Sequence, residues 1–232
     1  MIMLNYTDTL NDVTTLAHEM GHAFHTELVY RHQNALDGDY GMLTAEVSSQ
    51  FLEDYVYEVL LGEMDDHQRL SLQLNTLNDM ISSIHRQIAC YRFEQALHQE
   101  YRDTGWIPSE RIAALFAEHM AAYMGDAVTH EPGSERRWVY RSHIRSYFYV
   151  FSYAGAMLLA QTLQTQVAAG ELDFSTIIDK YYTIGRNQSP AQTFETLGID
   201  ITDTATWTDG LDAIRSQLHD AQALAAQLGY TT

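Results

Sequence analysis

His18-Glu19-Met20-Gly21-His22 is the stretch of this chain whose residue types and spacing carry the most chemistry. Positions four apart share one face of a helix, so His18 and His22 on a helix offer two imidazoles to one tetrahedral zinc. Glu19 then stands beside the metal as a candidate general base, the arrangement of the HExxH zinc hydrolases. A catalytic zinc of this kind needs a third protein ligand and keeps one position open for water. His25 lies on the same face as His18 but about 10 Å further along the axis, too far to share a metal with His18 and His22. A ligand from a second helix is geometrically easier. Glu46, 24 positions after His22, is the expected third ligand, so the metal centre predicted is His18, His22 and Glu46 with one Zn2+ per chain. Glu53, seven positions beyond Glu46, has two readings: a partner for a ligand histidine, or a solvated surface carboxylate.

These residues need helices to position them. Thr9 followed by Asp12 resembles a capping box, and Val13, Leu16, Ala17, Met20 and Phe24 continue from it at helical spacing. A turn over Asp37-Gly38-Asp39-Tyr40-Gly41 separates this helix from the next, which carries Glu46 and extends to about Leu61. That turn is either a mobile loop that contacts substrate or a plain connection. A long periodic stretch follows from His67 to Tyr101, then helices over Ser109 to Tyr123, Trp138 to Thr165, Ser175 to Ile184, Ala191 to Leu197 and Thr208 to Leu228. The predicted fold class is all-α, a single multi-helix catalytic region over residues 1–232. Met1 to Tyr6 shows the best strand alternation and is expected as a short edge strand or the end of one. No βαβ pattern or Gly-rich phosphate loop is present.

Composition bounds the partners. The 232 residues are 46% hydrophobic, enough for a sizeable core, and the formal net charge of −18 disfavours nucleic acid and anionic lipid. Cys90 is the single cysteine, which excludes an intrachain disulfide and a Cys-rich zinc site. No run of 18 apolar residues occurs, and MIMLNYTDTL lacks the basic start and long apolar stretch of a signal peptide, so a cytoplasmic chain with no membrane partner is expected.

A second constellation lies in His143-Ile144-Arg145-Ser146-Tyr147-Phe148-Tyr149-Val150-Phe151-Ser152-Tyr153. An aromatic helix face of this sort commonly packs into a core. The rival reading is catalytic: Tyr149 and Tyr153, four apart on one face with His143 before them, would offer donors to a developing oxyanion.

The motifs together resemble the thimet oligopeptidase group of zinc peptidases, and within it the oligoendopeptidase F branch. LNYTDTLNDVTTLAHEMGHAFH is similar to that branch's metal-helix block and AEVSSQFLEDYV to the block that supplies its glutamate ligand. IHRQIACYRFE, SHIRSYFYVFSYA and SPAQTFETLGIDIT resemble later blocks. The branch often has asparagine in place of Tyr147 and tyrosine in place of Phe151. The resemblance implies a mostly helical endopeptidase that cleaves short unstructured peptides with one zinc. It assigns the metal to His18, His22 and Glu46, the general base to Glu19, and transition-state contacts to His143, Tyr149 and, less directly, Tyr153. Family members also carry an N-terminal lobe that this chain lacks, so a partner chain that supplies it is a further expectation. Two alternatives stand beside this reading: a non-catalytic remnant that binds zinc or peptide, and a zinc carboxypeptidase with Arg141 or Arg145 on the terminal carboxylate.

Overall fold

The computed structural model describes residues 2–126 and 128–230. Helix α1 spans Leu10–His32 and opens on the capping box that Thr9 and Asp12 suggest: the Thr9 hydroxyl accepts from the Asp12 N–H, and the Asp12 carboxylate accepts from the Thr9 N–H at 2.9 Å. The Thr7 N–H and the hydroxyls of Thr7 and Thr9 also donate to that carboxylate. These donors hold Asp12 down at a pKa of about 2, so it stays an anion at the positive end of the helix dipole. Residues 2–6 form no strand, which corrects the expected edge strand. No strand occurs among the described residues, so this segment has no partner to satisfy its backbone.

Helices α2 (Met42–Glu63), α3 (Asp66–Thr104) and α4 (Ser109–Met124) follow. Two 3-10 turns, Ser134–Tyr140 and Ser142–Arg145, precede α5 (Phe151–Ala168). Helix α6 (Phe174–Ile177) continues into a π turn, Ile178–Tyr182, and is followed by α7 (Pro190–Glu195) and α8 (Thr204–Gln227). The all-α fold class holds. None of the described helices is long and apolar enough to cross a membrane. The helix expected over Trp138 to Thr165 is corrected: its first part is 3-10 and turn, and α-helix begins at Phe151. The Phe148 N–H donates to the Glu94 carboxylate at 2.6 Å instead of to a helical carbonyl, and Tyr147 and Phe148 take φ of 46° and 61°.

The chain divides into two compact units, Met1–Asn78 with Gly155–Thr232, and Asp79–Ala154. The first contains α1 and α2 and a core of Leu43, Val47 and Phe51 from α2, Leu159 and Leu163 from α5, and Tyr181, Tyr182 and Phe194. The phenols of Tyr181 and Tyr182 are buried but not orphaned: they donate to the α2 carbonyls of Thr44 at 2.8 Å and Ser48 at 2.6 Å. Those bonds fix the π turn against the helix that carries Glu46. The second unit has its own core of Ala89, Cys90 and Phe93 from α3 with Leu115, Phe116 and Met120 from α4. Charge is divided unequally. The first unit holds 22 acidic and five basic residues, the second nine and eight, so nearly all the net negative charge lies on the unit with HEMGH. That field favours cations there.

Asp54 of α2 is buried inside the first unit, where it accepts from Gln50 at 2.9 Å and Gln161 at 2.8 Å. Desolvation pushes its carboxyl up from 3.8 to about 8, so the folded chain keeps a proton there that the unfolded chain loses. A raised carboxyl pKa contributes stability at low pH and forfeits it as pH rises from about 4 through about 8. Asp54→Asn, neutral at every pH, is expected to flatten this alkaline decline, which urea midpoints at pH 6 and 9 check.

Candidate active site

The HEMGH segment lies in the middle of α1, and Gly21 sets how near α2 comes to it. A Cβ added at Gly21 would sit 2.6 Å from Ser49 Cα and 3.1 Å from the Ser48 carbonyl oxygen, so the two backbones touch where a side chain would hold them apart. Close approach at this point places Glu46, three residues before Ser49, opposite His18 and His22, which flank the glycine.

One ligand atom from each of His18, His22 and Glu46 lies within 4.8 Å of the others. His18 Nε2 is 3.6 Å from Glu46 Oε2. Ligands at tetrahedral zinc distances stand about 3.4 Å apart, so this pair is already near that spacing. All three are partly buried. His18 also donates from Nδ1 to Glu53 Oε2 at 2.9 Å, which leaves Nε2 turned to Glu46 and fixes the ring. Of the two readings of Glu53, the structure therefore favours the histidine partner.

The donor set suits a divalent cation. Burial pulls the His18 pKa down, but Glu46 and Glu53 outweigh it and raise it to about 9, the pull of two carboxylates on a cation placed between them. Burial lowers the pKa of His22 and keeps that imidazole neutral, the form that donates to a metal. Glu19 is half-buried beside His22 on α1. Removing Glu53 by Glu53→Ala is expected to lower zinc affinity about 10–100-fold, measured by competition with a chelating dye, because His18 would lose its orienting carboxylate.

His25 is outside this group, as its helical rise requires. It is fully buried, donates from Nδ1 to Ser48 Oγ at 2.7 Å while that hydroxyl donates to the Thr44 carbonyl, and stacks on Tyr40 at 3.9 Å. Burial holds its pKa down to about 4. Tyr40 itself meets Thr26 at 2.5 Å, Asn34 bonds Asp37, and Arg186 pairs with Asp39 at 2.5 Å. The Asp37–Gly41 segment is thus a pinned connection. The Ser48, Tyr40 and Gly21 contributions escape sequence reading because each depends on which helix faces come together.

In the second unit, His143, Tyr149 and Tyr153 gather as a cluster. The His143 ring stacks on Tyr149 with centroids 4.4 Å apart and planes 10° from parallel, and Tyr153 Oη lies 3.3 Å from His143 Nδ1. The expectation that Tyr149 and Tyr153 share one helix face is corrected. Tyr149 belongs to the turn before α5, and Tyr153 to its first turn. Arg145 donates to the Val139 carbonyl at 2.6 Å, which ties the 3-10 segments together.

The sequence profile of Peptidase family M3 matches residues 1–213. An oligoendopeptidase F homolog of Lactococcus lactis subsp. lactis is 30% identical over 213 residues, 91% of this chain and 35% of the relative. Oligopeptidase PepF of Bacillus subtilis is 26% identical over 87% of this chain and 30% of the relative. The chain thus spans about a third of the length of these curated relatives. The crystal structure of oligoendopeptidase-F from Enterococcus faecium superposes with a TM-score of 0.77 at 24% identity, over 94% of this chain and 40% of the other, a likeness of fold. With the family profile running from the first residue through α1 to α7 and into the first part of α8, the chain belongs to peptidase family M3.

Proposed function

We propose that residues 1–232 act as one catalytic region of a zinc endopeptidase of the oligoendopeptidase F kind, which hydrolyses short unstructured peptides. The observation that carries this reading is the convergence of His18, His22 and Glu46, with Glu53 behind His18. His18, His22 and Glu46 would hold a zinc ion, which when bound would supply a Lewis acid for the peptide carbonyl and an acidified water, with a pKa towards about 7.

The protein's own groups do the rest. Glu19 accepts the proton of the attacking water and passes it to the leaving amine, so no covalent link to the chain forms. Gly21 and the Tyr182–Ser48 bond keep α2 and its carboxylate in place during this transfer. His143 and Tyr149, with Tyr153 against the imidazole, take the role of donors to the tetrahedral oxyanion; that assignment rests on the resemblance of the Ser142 to Ala154 stretch. A lobe supplied from outside residues 1–232 would complete the substrate channel, and the single buried thiol suits a cytoplasmic setting.

Internally quenched peptides blocked at both ends test the reading in the presence of zinc. Cleavage that a chelator abolishes and zinc restores supports an endopeptidase. Cleavage restricted to peptides with a free C-terminus would replace it with a carboxypeptidase, and zinc binding without turnover would replace it with a remnant.

A further inference from the structure

We infer that Glu94 is a positioning residue for the His143–Tyr149 pair: its buried carboxylate holds the left-handed turn at Tyr147 and Phe148 from which Tyr149 projects. Two adjacent residues with side chains at φ of 46° and 61° are strained, because each Cβ crowds the following carbonyl. Such a turn persists when its surroundings over-determine it. Here the Phe148 N–H donates to Glu94 Oε1 at 2.6 Å, and the Phe148 ring packs between Tyr91 and His98 at centroid distances of 5.4 and 5.1 Å.

Glu94 has no outlet other than this turn. It is fully buried on α3, its Oε2 has no hydrogen-bond partner, and the His98 imidazole Nε2 is 3.9 Å from Oε1. A buried carboxylate with one oxygen unsatisfied is costly, and a residue kept for packing alone would be apolar. What the carboxylate obtains is a charge-assisted bond to one backbone N–H, immediately before the residue that stacks on His143. Desolvation raises the Glu94 pKa while the Phe148 N–H lowers it. The inference rests on the proposed role of His143 and Tyr149 for its catalytic consequence, whereas the control of the turn stands apart from it.

Three variants test this: Glu94→Gln, Glu94→Ala, and Glu94→Ala combined with Tyr147→Gly. Tyr147 is 87% exposed, so glycine there relieves the positive φ and removes little packing. Glu94→Gln keeps a carbonyl acceptor for the Phe148 N–H and is expected to stay close to wild type. In Glu94→Ala the Phe148 amide is expected to exchange with solvent about 10–100-fold faster, and the ring-current shifts of the His143–Tyr149 stack to change. The kcat on a blocked peptide should fall about 10²-fold with little change in KM. Adding Tyr147→Gly should recover a large part of both losses.

Unchanged Phe148 exchange in Glu94→Ala would overturn the inference, as would Glu94→Gln as damaged as Glu94→Ala, or no recovery with Tyr147→Gly. The exchange and ring-shift measurements need no turnover, so they decide the matter even if the peptidase reading fails. If Glu94→Ala does not fold, the double variant should. Its failure to fold where Tyr147→Gly alone folds would equally overturn the inference.

Discussion

Glu19→Gln is expected to bind one zinc per chain with wild-type affinity and to lose about 10²–10⁴-fold in kcat on a blocked peptide. The loss is that of a general base, since the amide cannot accept the proton of the attacking water at neutral pH. The retained zinc follows from the geometry: Glu19 is not among the three residues whose ligand atoms converge. The two readouts therefore separate a base from a ligand. Metal content by mass spectrometry of the native chain and initial rates in excess zinc measure them. A variant that loses its metal together with its activity would make Glu19 part of the binding set, and one with full activity would remove it from the reaction.

Gly21→Ala is expected to destabilise the chain by about 1–3 kcal/mol and to weaken zinc binding at least tenfold, although helix propensity argues the opposite way. Alanine in the middle of an exposed helix gains about 1 kcal/mol over glycine. At Gly21 the new methyl meets backbone, not a side chain that can rotate: Ser49 Cα at 2.6 Å and the Ser48 oxygen at 3.1 Å. Backbone yields only if α2 moves away, and α2 is held by the buried Tyr181 and Tyr182 phenols on the Thr44 and Ser48 carbonyls. The packing term should therefore win. Urea midpoints and a zinc titration give both numbers. A variant more stable than wild type would show that the helices have room to part.

The contrast between these two residues explains how much of the site is legible in sequence. His18, Glu19 and His22 are visible because donor type and helical spacing are both local properties, and Thr9 with Asp12 marks the start of their helix for the same reason. Glu46 is visible one step further, as a carboxylate on the next helical pattern. The function of Gly21 is not, because a glycine in a helical run looks the same whether it faces water or another backbone.

The turn at Tyr147 and Phe148 fails for a related reason. Neither residue type favours positive φ, and the group that breaks the helix, Glu94, lies 54 positions earlier. Asp54 likewise becomes a buried, proton-retaining group only where packing inside the first unit desolvates it, a property of the assembled helices and not of the LEDY segment. Met1 to Tyr6 errs in the other direction. Its alternation is real, but a strand is a property of a pair, and none of the described residues supplies the partner.

Zinc stoichiometry after chelation and reloading tests the central claim most directly, with wild type compared against His22→Ala and Glu46→Ala. One zinc per chain in the wild type, and affinity lost in both variants while their helical circular dichroism persists, is the result expected from the convergence of His18, His22 and Glu46. A folded wild-type chain that takes up no zinc, or variants that bind it as tightly as wild type, would contradict the account.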